Sequence, residues 1–138
     1  MENLDLQAAK AAQAIINGTT NDNSTRQEVS NVENVVTKAL GVLQENGVYA
    51  ALLYLYSRSD KEKLIAEKTR ENLLALTEKI TSSRSPSKGA MDALKFLTDE
   101  ICDNLDRLLL VKQLWEQTLI YARYGAKARG AIAKEARP

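Results

Sequence analysis

The side chains able to do chemistry in this chain are carboxylates and cations, because it contains no histidine and a single cysteine, Cys102. Without imidazole there is no Ser-His-Asp triad, no Cys-His pair and no imidazole general base. Tetrahedral zinc held by Cys and His is excluded on the same ground. A lone thiol closes no intramolecular disulfide, which suits a reducing cytosol. Acid–base work through Asp, Glu, Lys or Tyr stays open. The most regular carboxylate set is Asp92, Asp99, Asp103 and Asp106, which at ~100° per residue would share one side of a helix. Such a row could hold magnesium or furnish a pair for hydrolysis. The plainer reading is a solvated acidic face, or a surface that docks a basic neighbour. No glycine-rich loop accompanies the carboxylates, and Lys95 and Arg107 lie within reach as partners. Cys102, beside Ile101 and among acids, is expected to have a raised thiol pKa and so not to be an activated nucleophile. Ser85-Pro86-Ser87-Lys88-Gly89 lacks the glycine spacing and preceding strand of a phosphate loop. The residues therefore point to a protein that binds and does not catalyse, with no cofactor and no metal expected.

The cations carry a sharper pattern. The 138 residues hold 19 Lys and Arg against 18 Asp and Glu, a net charge of +1 that argues against a nucleic-acid partner. That neutrality is a sum of unlike parts. Through Asp106 there are 12 basic and 16 acidic residues, a net of −4; from Arg107 to Pro138 there are seven basic and two acidic, a net of +5. On a helix, Lys112, Arg123, Lys127, Lys134 and Arg137 fall within about 80° of one another. The opposite side carries Leu114, Tyr121, Gly125, Ala128 and Ile132, small and apolar enough for close helix packing. A basic stripe with Tyr124 beside it and Arg129 in the same segment suits a phosphate backbone, each contact releasing counterions. On spacing alone the plainer reading is a terminal helix whose basic end complements its own dipole.

The elements that must position these residues read as helices throughout. Only two prolines and six glycines interrupt the chain, strand-type alternation is absent, and apolar residues recur at three and four. The expectation is an all-α fold, one compact bundle of about six helices over residues 1–138 with no sheet. For this length, about two-thirds of the unfolded surface is buried without help from disulfides or metals. A first helix covers about Leu4 to Ile16, with Gly18 just past its end. A second opens on a capping box of Ser24 with Gln27, buries Val29, Val32, Val36, Leu40 and Leu43, and ends at Gly47. Val48 to Tyr56 is apolar all round and belongs in the centre of a bundle; its tyrosines, Tyr49, Tyr54 and Tyr56, read as core or interface residues. Ser59 and Glu62 form a second capping box for a helix that turns Ile65, Thr69, Leu73, Leu76 and Ile80 inward. Residues 81–89 form a mobile loop. Met91, Leu94, Leu97, Ile101, Leu105 and Leu108 make the next buried stripe, and the pattern stays helical from Asp106 to Ala136. No signal peptide is visible and the longest apolar run, nine residues, is far below the ~20 of a membrane span, so the expected location is the cytoplasm.

Two stretches carry a family likeness. Leu40 to Leu55, a helix, an Asn46-Gly47 corner and an apolar helix, resembles the small all-helical subunit of type III-B CRISPR RNA-targeting complexes, the Cmr family. Glu116 to Ala128, with Tyr121, Arg123, Tyr124 and Lys127, is similar to that family's closing helix of interleaved aromatics and bases, and the short alanine-rich opening helix also fits. The family usually has an aromatic followed by a basic pair in that closing helix; here Tyr124 takes the aromatic place and Gly125-Ala126-Lys127 leaves one base. The small subunit of type III-A complexes is likewise helical and basic. The resemblance implies a non-catalytic subunit of an antiviral ribonucleoprotein, stacked in copies beside the crRNA-binding backbone and touching target RNA without reading sequence. Lys112, Arg123, Tyr124, Lys127, Arg129 and Lys134 would then contact RNA, while Tyr121, Gly125, Asp92, Asp99 and Asp103 would meet neighbouring subunits. No membrane and no small-molecule substrate are expected, and the competing expectation is a helical protein–protein adaptor without nucleic-acid binding, whose basic helix meets an acidic protein.

Overall fold

The computed structural model describes residues 3–81 and 89–136, with side chains as far as Ala133. Six α-helices follow one another: α1 (Leu4–Thr19), α2 (Arg26–Asn46), α3 (Val48–Tyr56), α4 (Lys63–Thr81), α5 (Gly89–Phe96) and α6 (Leu105–Ala136). There is no strand among the described residues, so the expected all-α fold holds. The loop expected at 81–89 falls, apart from its two end residues, outside the described residues.

Local chemistry sets the helix ends. Asn3 caps α1 by accepting from the Leu6 amide at 3.1 Å. The helix runs on past Gly18 to Thr19, and the Thr19 and Thr20 hydroxyls donate back to the Ile15 and Ile16 carbonyls, each at 2.7 Å. Gly18 is thus inside α1, not beyond it. The capping box of α2 sits one residue later than its expected position. The Glu28 amide donates to Thr25 Oγ1 at 3.0 Å and the Thr25 amide to Glu28 Oε1 at 2.7 Å. Ser24 instead accepts from the Asn21 amide within the preceding turn. A β-branched Thr paired with a carboxylate satisfies both orphan amides at the helix start, which Ser24 with the neutral Gln27 does not do here. The second expected box, Ser59 with Glu62, does not form. Ser59 makes no side-chain cap, and residues Asp60–Glu62 tighten into a 3₁₀ turn entered through Asp60 at φ +55°. At Gly47 the chain turns from α2 into α3 with φ +94° and ψ −175°, a region open only to glycine.

One continuous apolar core draws residues from all six helices, including Ile15, Val32, Val36, Leu43, Leu52, Leu55, Leu73, Leu97, Ile101, Trp115 and Leu119. The stripe expected on α2 is buried in full. On α4, Ile65, Thr69, Leu73 and Leu76 are buried and Ile80 is half-buried. Trp115 is the largest fully enclosed side chain, and its indole N–H donates to Thr77 Oγ1 at 2.9 Å, tying α6 to α4. Thr77 in turn donates to the Leu73 carbonyl at 2.8 Å, so neither buried polar group is left unpaired.

Two expectations about the core need correcting. Helix α3 is not enclosed on every side: Val48, Ala51, Leu52 and Leu55 face inward, while Tyr49 and Leu53 are exposed. Nine residues make only two and a half turns, and α2 and α4 cover one side of them. Nor do Met91 and Leu105 join the buried stripe; they are 79% and 68% exposed. The helix that begins as α5 ends at Phe96, passes through a π turn over Leu97–Ile101 and stops. Asn104 then restarts the chain by capping α6, its Oδ1 accepting from the Arg107 amide at 3.1 Å. The rotation introduced by that break turns Leu105 outward.

The α2–α3 corner gives a direct check. Gly41 lies inside α2 with no atom within 4 Å of an added Cβ, so Gly41→Ala should raise the unfolding free energy by about 0.5–1 kcal/mol. Gly47→Ala should lower it by about 1–3 kcal/mol. Urea denaturation of the two variants measures both.

Candidate nucleic-acid interface

Helix α6 has 32 residues and spans about 48 Å, the longest of the described helices. Its buried side narrows along its length: Val111, Leu114, Trp115 and Leu119 come first, then Ala122, Ala126 and Ala133. Small residues let the neighbouring helices approach. A Cβ on Gly125 would stand 3.2 Å from Ile16 Cγ1 of α1, and one on Gly130 would stand 3.5 Å from Val29 Cγ1 of α2. Helix α2 runs antiparallel to α6, since Gly130 faces Val29 and Lys127 pairs with Glu33 one turn along.

This packing puts the inward side of α6 between the basic stripe and the side expected to pack. Trp115, Ala122 and Ala126 form the seat, at about 40–140° from Lys112, Arg123 and Lys127. Of the five residues expected on the packing side, Leu114 is buried and Tyr121 and Gly125 are half-buried against α1, whereas Ala128 and Ile132 are exposed. Gly125 meets Ile16 and the Tyr121 hydroxyl donates to Asp5, so both touch α1 of the same chain. That carboxylate is the main reason the Tyr121 phenol titrates above its ordinary value.

The basic residues are not equivalent. Lys112 and Arg123 are half-buried and Lys127 is exposed, all three on the outer flank of α6. The Arg123 guanidinium lies 6.0 Å from the centre of the exposed Tyr124 ring, and its Nε is buried without a protein partner. Lys127 Nζ sits 3.2 Å from Glu33 Oε2. Arg129 belongs to the other flank, about 160° from Lys127 around the axis, where its Nη1 lies 2.9 Å from Asp22 Oδ1. The Lys134 side chain and Arg137 lie outside the described residues. Leu105 and Leu109 are exposed at the N-terminal end of the same outer face.

The carboxylates expected in one row are dispersed. Asp92 lies on α5, Asp99 in the π turn, Asp103 in the break and Asp106 in the first turn of α6. All four are exposed, and Lys95 pairs with Asp99 at 3.5 Å. The expected single acidic face is therefore lost with the continuity of the helix that was to carry it. Among the described residues no group of three or more Cys, Asp or Glu is placed to hold a metal ion, and no helix is long and apolar enough to cross a membrane.

Sequence reasoning missed three arginines. Arg58 lies over the Tyr54 ring and Arg70 over the Tyr56 ring, each at 4.4 Å from the centroid, which accounts for two of the three tyrosines of α3. Arg26, the first residue of α2, shares a groove of about 370 Å³ with Ser30, Glu33, Lys127, Gly130 and Ala131. No local spacing signals that meeting, because Arg26 and Lys127 are a hundred positions apart and the antiparallel register of α2 on α6 brings them together. No protein-family model, curated protein or solved structure matches the chain.

Cys102 offers a clean readout as the single thiol. Partial burial, then the charge of Asp103, push its pKa up, above the ~8.5 of a free thiol. The reactive thiolate is therefore scarcer than in an unfolded chain until the pH passes the raised value. Iodoacetamide should alkylate the native protein several-fold more slowly at pH ~8 than the urea-unfolded one, and Asp103→Asn should speed the native reaction.

Proposed function

We propose that this chain is a non-catalytic small subunit of a type III CRISPR ribonucleoprotein, of the Cmr kind, acting in antiviral defence in the cytoplasm. Copies stack beside the crRNA-binding backbone subunits, and the outer flank of α6 touches target RNA. The observation that carries this reading is that Lys112, Arg123 and Lys127 lie within about 60° of one another on a single helix, with the exposed Tyr124 about 60° farther round from Lys127, over about 22 Å. Cations in a line neutralise successive phosphates without reading bases. The exposed Tyr124 ring offers a π face for stacking, with Arg123 beside it. The exposed acids between α5 and α6 and the apolar Leu105 and Leu109 are available to neighbouring subunits.

A second reading, a helical adaptor without nucleic acid, draws on one specific observation. Two cations of α6 are already ion-paired, Lys127 with Glu33 and Arg129 with Asp22, which lowers the positive potential of the helix. The two readings separate in a gel shift with single-stranded RNA at low and moderate salt. The subunit reading predicts a weak shift that fades steeply with salt, with a log–log slope of about −0.7 per phosphate contacted. It also predicts that Lys112, Arg123 and Lys127 changed together to Glu abolish the shift. No shift at either salt concentration favours the adaptor.

A further inference from the structure

We infer that the groove between α2 and α6 is a seat for one phosphodiester group of a single strand, with Arg26 and Ser30 of α2 sharing the phosphate with Lys127 of α6. The inference rests on the RNA-binding reading above and extends it to a second helix. The groove is open and of nucleotide size, about 370 Å³. Two cations from different helices, Arg26 and Lys127, line it together with Ser30. Gly130 and Ala131, also in its lining, present no long side chain to an approaching sugar.

The charges in the groove fit a monoanion. Arg26 and Lys127 supply two positive charges and Glu33 one negative, leaving +1 against the −1 of a phosphodiester. Arg26 is exposed and makes no ion pair among the described residues, so its planar fork of donors is open to two phosphate oxygens at once. Lys127 is held at the groove by Glu33 at 3.2 Å, which positions the cation but competes with an incoming phosphate. The remaining carboxylate of the first turn of α2, Glu28, is turned to the Thr25 amide, about 160° around the helix from Arg26. By contrast Arg58, Lys95 and Arg107 are each paired on the surface with an acid, Glu62, Asp99 and Glu100.

Fluorescence anisotropy of a labelled oligouridylate with the full chain, measured across a salt series, tests the seat. Arg26→Gln is at an exposed position and should leave the helix content unchanged by circular dichroism. It should weaken binding by about three- to tenfold and reduce the log–log salt slope by about 0.7, the loss of one phosphate contact. Glu33→Gln should tighten binding severalfold, because it removes the competing charge. Arg129→Gln, on the opposite flank, should change affinity by less than about twofold. If the wild type binds RNA but Arg26→Gln leaves affinity and slope unaltered, the seat is overturned and the RNA-binding reading stands. A Glu33→Gln variant that binds more weakly also overturns it. If the wild type fails to bind at low salt, both fall.

Discussion

Helix α6 is the wall against which α1 and α2 close, and the change in side-chain size along that wall shapes the rest of the molecule. At its first half, Val111, Trp115 and Leu119 fill the centre of the bundle and reach α4 through the indole bond to Thr77. Farther on, Ala122, Gly125, Ala126 and Gly130 let α1 and α2 come within van der Waals reach of the α6 backbone. Close approach has a consequence at the edges. Polar residues of α2 and of the turn before it are brought to ion-pair distance of α6, and the Lys127–Glu33 pair and the Arg129–Asp22 pair mark the two flanks of the same seat.

The near-zero net charge of the chain conceals this arrangement twice over. In sequence it averages an acidic body with a basic closing segment. In space, the body lends acids to that basic segment, so part of its charge is locally compensated. What stays outward is a narrower feature than the segment as a whole: Lys112, Arg123, Tyr124 and Lys127 on one flank, joined by Arg26 from the opposite wall of the groove. Surface ion pairs of this kind contribute little to stability, ~0–1 kcal/mol. Their importance lies in where they hold a cation and in how much free charge they leave.

Much of the fold was legible because its helices obey periodicity closely. The α2 stripe and most of the α4 stripe are buried as their spacing requires. The corner at Gly47 is where a glycine was needed. The failures have local physical causes. The Thr25–Glu28 box competes with Ser24–Gln27 at an offset of one, and only the hydrogen bonds decide between them. The π turn at Leu97–Ile101 and the cap at Asn104 reset the phase of the helix, which scattered an acidic face and turned Leu105 outward. A periodic pattern read through such a break assigns sides that do not exist. The candidate site was half legible for a related reason. The cations of α6 share a helix and so share a period, whereas Arg26 reaches them only through tertiary register.

The amino-acid order alone determined the all-α class, the exclusion of imidazole chemistry and the concentration of cations in the last helix, because composition and a 3.6-residue period are local properties of the chain. Only the tertiary structure decided which of those cations face a groove and which acid each is tied to. The side of α6 turned inward is set by the residues of α1 and α2 that pack against it. The partners of Lys127 and Arg129 come from segments about a hundred residues away, and no spacing within the helix encodes them.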